Sequence, residues 1–389
     1  MNPTALSTIL NQTGENRSTY QGAVSPPIFQ TSNFCFSNME SMRDSLKNEL
    51  STPFYTRGYN PTAAILREKL AALEGTEDAL VLSSGSAAVA CAVISQVKAG
   101  DHVLCVAKPY SWTNKLIAQL LARFDVSFTF ADGQNAEEFL QNTKENTRLI
   151  YLESPNSLTF EQQDIAAIAQ FAKSKGIATI IDNSYSSPLF QQPAAMGIDL
   201  IVHSATKYLN GHSDALGGVI CGSTKMIQHI FANEWMTLGA HLSPHECSLI
   251  LRGLRTLEIR MERSAQSGFK VMQFLENHPK VEKVYHPLAH HYNQKELTQK
   301  QLKNVGGLFS FQVRAENIDQ LDNMLNGFQH FLLATSWGGH ESLIFPMAVL
   351  KSSANYSGNT LPWNLIRIYV GLESPDLLIA DLSQALDKL

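Results

Sequence analysis

Residues 178–208, ATIIDNSYSSPLFQQPAAMGIDLIVHSATKY, decide the fold. Two short β-rich apolar runs, ATIIDNS and DLIVHSA, flank a connection broken by proline and glycine. Asp182 closes the first run, and Lys207 follows the second, 25 residues later. The same rhythm extends in both directions. ALVLSSG (79–85), HVLCVA (102–107), VSFTFAD (126–132) and RLIYLES (148–154) precede this stretch, and GGVICGS (217–223) follows it. Helical spacing fills the gaps: Leu116, Ile117, Leu120, Leu121 and Phe124 recur within 112–124. Ile165, Ile168 and Ala172 form a stripe within 161–175, closed by Gly176 as a helix C′ glycine. Strands alternating with helices predict an α/β fold with a mostly parallel central sheet, helices on both faces, and ligands at the carboxyl ends of the strands.

Beyond about residue 255 strands thin out and helical patterns lengthen. The chain ends in SPDLLIADLSQALDKL, with Ser374 as N-cap, Pro375 at N1, and Leu378, Leu382, Ala385 and Leu389 along one side. The first 60 residues, rich in Ser, Asn and Thr with interspersed aromatics, fit neither pattern. The expected division is therefore an N-terminal arm over 1–60 that packs on another subunit, a ligand-binding domain over 61–255, and a smaller α/β domain over 256–389.

Composition narrows the function classes. With 389 residues and a net charge of −5 the chain offers no broad positive field for nucleic acid or anionic lipid, and a small-molecule substrate is the expectation. The N-terminus lacks the basic start and apolar core of a secretory signal, and no run reaches the ~18 apolar residues of a membrane span, so a cytoplasmic location is expected. The five cysteines, Cys35, Cys91, Cys105, Cys221 and Cys247, form no C-x-x-C pair and read as buried reduced thiols. His286, His290 and His291, with His241 and His245, lack accompanying Cys or acidic ligands and read as structural or surface residues, so no metal is expected. Neither a G-x-S-x-G elbow nor a G-x-G-x-x-G fingerprint occurs, which sets aside the serine hydrolases and dehydrogenases.

Three strand-end features carry chemistry. Ser84-Gly85-Ser86-Ala87-Ala88 opens a helix whose free N–H groups suit a phosphate, a weak signal taken alone. Asp182 is costly in an apolar run unless a cation or metal faces it. Lys207 ends the next strand, where a lysine is usually a surface charge. Together they supply partners for the phosphate, pyridine nitrogen and aldehyde of pyridoxal 5′-phosphate (PLP).

HSATKYLNGHSDALGG (203–218), FYTRGYNPT (54–62), SSGSAA (83–88), ESPNSLTF (153–160) and SWGGHESL (336–343) resemble the motif set of the Cys/Met-metabolism PLP enzymes. The resemblance runs from about residue 15 to the C-terminus. It implies the fold type I architecture of PLP-dependent transferases, PLP as cofactor, and Lys207 as the internal aldimine lysine. Ser204 and Thr206 match residues that hydrogen-bond the phosphate. Gly85 and Ser86 match its backbone cradle, although the family commonly has Met at the position of Ser86. Asp182 matches the carboxylate that keeps the pyridine nitrogen protonated. Tyr110 matches the tyrosine that stacks on the ring and moves protons. Tyr55 and Arg57 match residues that reach the phosphate from a neighbouring subunit, which implies a homo-oligomer, a tetramer built as a dimer of dimers. Arg367 matches the arginine that binds the substrate α-carboxylate, with Ser336 near it.

Within the family, the resemblance is nearest to bacterial cystathionine β-lyases. Trp337 stands where γ-lyases and γ-synthases usually have Leu, Thr335 replaces the Glu that reads a distal amino group in cystathionine γ-enzymes, and ESPNSLTFE lacks their Asn-Pro. Asn60-Pro61-Thr62 keeps the form of the γ-enzymes, and Gly58 stands where bacterial β-lyases can carry a second arginine, which leaves the substrate's far end open. The expected activity is carbon–sulfur β-elimination of cystathionine or other cysteine S-conjugates, with γ-elimination or γ-replacement as the alternative within the family and transamination as the nearest different reaction. A PLP-binding regulator without turnover would show a broken lysine, aspartate or arginine position, and Lys207, Asp182 and Arg367 are all intact.

Overall fold

The computed structural model describes residues 2–352 and 361–389. Seven strands form the larger sheet: β1 (Asp78–Leu82), β2 (His102–Val106), β3 (Ser127–Ala131), β4 (Thr147–Glu153), β5 (Ala178–Asp182), β6 (Leu200–Ser204) and β7 (Gly218–Gly222). Their order is β1-β7-β6-β5-β4-β2-β3, and every pairing among β3, β2, β4, β5 and β6 is parallel; β7 alone runs against its neighbours β6 and β1. The expected α/β fold with a mostly parallel sheet is therefore observed. Strands covered on both faces cannot alternate in polarity, and β2, β4 and β7 are accordingly apolar and buried almost throughout. His102 is the polar intruder on β2, and Thr147 and Thr129 satisfy both of its ring nitrogens at 2.8 and 2.9 Å.

The second sheet is smaller. It comprises β8 (Val281–Tyr285), β9 (Leu308–Val313), β10 (Leu332–Leu333), β11 (Leu343–Pro346) and β12 (Leu365–Tyr369), in the order β10-β11-β12-β9-β8. The 20-residue helix Leu257–Glu276 enters this half of the chain, and the terminal helix Pro375–Leu386 packs on it. Leu378, Leu382 and Ala385 are buried as their spacing predicts, and Leu389 packs against the core from a half-buried position. Ser374 occupies the N-cap position, but its side chain makes no capping hydrogen bond.

Three expectations change in detail. The 112–124 segment is helical but not one regular helix: Ser111–Lys115 passes into a wider turn over Leu116–Leu120 and a tighter one over Leu121–Phe124. Those changes of pitch break the 3.6-residue stripe, so Leu116, Ile117 and Leu121 are buried while Leu120 and Phe124 face outward. The 161–175 helix begins later, at Ile165, with Asp164 as its cap. All five cysteines are free, but Cys35 is exposed, in a stretch over 31–40 of which only Phe34 and Phe36 are half-buried. No helix among the described residues is long and apolar enough to cross a membrane, and none of their His, Cys, Asp and Glu side chains cluster as a metal site would require.

Candidate active site

The carboxyl ends of β4, β5 and β6 lie side by side and bring three charged side chains together. Glu153 on β4 is level with Asp182 on β5, and β6 ends in Ser204, three residues before Lys207. The register follows from the parallel pairing, since neighbouring strands of the same direction end at the same edge. Asp182 accepts the amide of Ser184 at 2.9 Å. Burial raises its pKa, opposed by the Ser184 hydrogen bonds and the charges of His203 and Lys207. A cation seated there would relieve that cost.

Lys207 is half-buried, and its Nζ donates to Ser336 Oγ and lies 5.5 Å from the centroid of the Trp337 ring. Burial lowers its pKa to about 8, helped by the Arg367 charge and opposed by Asp182. That shift moves the amine toward the neutral, nucleophilic form. Ser336 holds a left-handed backbone conformation, φ 76°, which a non-glycine residue adopts only where its surroundings enforce it. The next two residues show what enforces it. Trp337 is buried between Tyr208 and Tyr185, with ring centroids 5.3 and 6.4 Å away, and a Cβ on Gly338 would lie 2.7 Å from the Tyr208 amide and 2.9 Å from the Lys207 carbonyl carbon.

Ser84 caps the helix Gly85–Ile94 by accepting the Ala87 amide at 3.1 Å, and the two amides before it, of Gly85 and Ser86, make no hydrogen bond among the described residues. Gly85 approaches β6 so closely that a Cβ on it would sit 2.8 Å from Ser204 Cβ. Ser204 donates its amide to Ser184 Oγ at 2.7 Å, and Thr206 Oγ1 accepts the Gly217 amide at 3.1 Å. A small anion at this corner would meet two backbone donors, two hydroxyls and a helix N-terminus. Cradle, half-buried carboxylate and softened lysine are the three partners PLP needs, so these residues fit the cofactor.

Arg367 on β12 is half-buried, stacks at 5.5 Å over the Phe345 ring and donates from Nη1 to the Ser157 carbonyl at 3.5 Å. Tyr110 is exposed at the start of the helix Ser111–Lys115, and its amide donates to Glu153 at 2.7 Å, which anchors it above the β4–β5 edge. Tyr55 and Arg57 are not joined to this cluster. Both are exposed, with the Arg57 guanidinium 5.8 Å over the Tyr55 ring, and among the described residues no hydrogen bond or ion pair links either to Lys207 or Asp182. The sequence reading passed over Glu153, Ser157 and Ser184. The acid near the end of the apolar run RLIYLES was the available signal for Glu153; the Ser157 contacts run through its amide and carbonyl, which leave no signal, and a lone serine such as Ser184, acting through amide and hydroxyl, carries none by its type.

The family model of the Cys/Met metabolism PLP-dependent enzymes matches residues 7–387. The chain belongs to that family. Its cofactor is PLP, and its members act on amino-acid substrates. The chain is 36% identical to an L-methionine gamma-lyase of Fusobacterium nucleatum, over all of both chains, and 35% identical to a cystathionine beta-lyase of Lactococcus lactis, covering 94% of this chain and 95% of that one. The solved structure of metB from Corynebacterium glutamicum superposes with a TM-score of 0.92 at 30% identity, covering 100% of this chain and 99% of that one. The fold is thus PLP fold type I, with the smaller sheet as its second part.

Proposed function

We propose that the chain is a cytoplasmic PLP-dependent carbon–sulfur β-lyase that cleaves L-cystathionine to homocysteine, pyruvate and ammonia and accepts other cysteine S-conjugates. The observation that supports this most directly is Trp337 beside Lys207, because it stands at the base itself and at a position where the resemblance to β-lyases departs from the γ-enzymes. Thr335, exposed beside it, offers no carboxylate to a distal ammonium.

Bound PLP supplies an electron sink for negative charge at the substrate Cα. Arg367 holds the α-carboxylate by a fork of N–H donors. Lys207, with its pKa lowered to about 8, removes the Cα proton as base. It or Tyr110 then returns a proton to the departing sulfur. One C–H bond is broken, so one base suffices; γ-elimination requires a second proton removal, at Cβ. Asp182 provides the negative partner for the cofactor's ring nitrogen, with Ser184 holding that carboxylate in place.

A γ-elimination is the second reading, favoured by the gamma-lyase names among the relatives. Incubation with L-cystathionine decides between them. Pyruvate with homocysteine supports β-elimination, and 2-oxobutyrate with cysteine refutes it in favour of γ-elimination. The exposed arm carrying Tyr55 and Arg57 supports a homo-oligomer, a tetramer built from dimers, in which these residues serve a neighbour's phosphate site.

A further inference from the structure

Glu153 is a buried carboxylate to which the steps above give no role. Two backbone amides from different loops converge on it: Tyr110 N donates to Oε2 at 2.7 Å and Ser157 N to Oε1 at 3.2 Å. Tyr110 belongs to the loop that follows β2. Ser157 belongs to the loop that follows β4, and its carbonyl is the one that accepts from Arg367. Glu153 also lies level with Asp182 across β4 and β5, so two acids share one strand edge. Burial first, and then the Asp182 charge, push the Glu153 carboxyl up to about 8. An acid in so unfavourable a place is tolerated because its two oxygens satisfy two amides that have no strand to pair with.

We propose that Glu153 is a positioning residue: one carboxylate straps the Tyr110 loop to the Ser157 loop, so the ring-stacking tyrosine and the carboxylate-binding arginine are set from a single point on the sheet edge. The chemistry of the side chain makes this specific. A carboxylate offers an acceptor oxygen to each amide, whereas glutamine offers one oxygen and turns an N–H group toward the second donor. Aspartate is shorter by one methylene and cannot span both loops. The inference rests on the roles proposed for Tyr110 and Arg367, but not on which carbon–sulfur bond is broken.

Two measurements test it. In the wild-type holoenzyme, residue-resolved hydrogen exchange should find the Tyr110 and Ser157 amides protected, although Tyr110 itself is exposed. Exchange of both at the rate of an open loop overturns the strap, and this arm requires neither a variant nor turnover. In the second measurement, made at pH 9 so that the Glu153 carboxyl is ionised, Glu153→Gln should lower kcat/KM roughly ten- to a hundredfold, the loss expected for one charge-assisted hydrogen bond. The same substitution in a Tyr110→Ala background should cost only a few fold, because residues that act as a unit are not additive. Fully multiplicative effects overturn the proposal. Tyr110→Ala alone with wild-type kinetics also overturns it, and distinguishes a failed role for Tyr110 from a failed strap, which the exchange arm reads directly.

Discussion

Gly85→Ala tests the cofactor cradle with the smallest possible change. The added Cβ would lie 2.8 Å from Ser204 Cβ and 2.9 Å from Ser204 Oγ. Carbon atoms in ordinary contact stand about 3.5–4.0 Å apart, so the helix start and the end of β6 must separate by roughly 0.7–1.2 Å. A shift of that size carries an amide–phosphate hydrogen bond from about 2.9 Å to beyond the useful limit. Losing one such bond to a charged group costs about 1.5–3 kcal/mol, which weakens PLP binding roughly ten- to a hundredfold. Helix propensity pulls the other way: Gly85 is not in the left-handed region, and alanine is about 1 kcal/mol better than glycine inside a helix. The thermal stability of the cofactor-free protein is therefore expected to change little while cofactor affinity falls. Titration of cofactor-free protein with PLP, followed by equilibrium dialysis, reads the affinity. Wild-type affinity in Gly85→Ala would refute the cradle.

Two further outcomes follow from the geometry. Lys207→Ala should lose both turnover and the visible absorbance of lysine-bound cofactor; mixed with an inactive Arg57→Ala variant under conditions of subunit exchange, it should regain part of the activity, and no regain would mean that each site is complete within one chain. His286 is buried, its Nδ1 accepts the Leu288 amide at 3.0 Å, and burial lowers its pKa to about 3. The unfolded chain takes up this proton near pH 6.5 while the folded one does not, so this contribution is intact above about pH 6.5 and is lost as pH falls. Relative to His286→Gln, the wild type should lose on the order of 3 kcal/mol by pH 4 in urea titrations; parallel pH profiles for the two proteins would refute the buried neutral imidazole.

Much of the larger sheet was legible because its signals are local. Short β-rich apolar runs such as HVLCVA and DLIVHSA, bounded by turn residues, read as strands buried on both faces, and Asp182 and Lys207 stand out because charge at the end of such a run has to be compensated. The 112–124 segment was misjudged in detail because two changes of pitch are set by packing, which periodicity assumes away. Cys35 was misjudged because Phe34 and Phe36 flank it in sequence, whereas in the fold its own side chain is exposed.

By itself the sequence determined the strand–helix alternation, the strand-end lysine and aspartate, and, through its motifs, the family. Only the tertiary structure decided which groups converge. Strands β4, β5 and β6, separated by many residues, end at one edge because parallel pairing aligns them, and that alignment sets Glu153 against Asp182. Tyr208, Tyr185 and the close approach of Gly338 then seat Trp337 and Ser336 over Lys207 from the far half of the chain. A pKa lowered by burial and by Arg367, and a carboxylate that holds two loops by their amides, are properties of that convergence. They depend on distance and exclusion of water, which no residue carries alone.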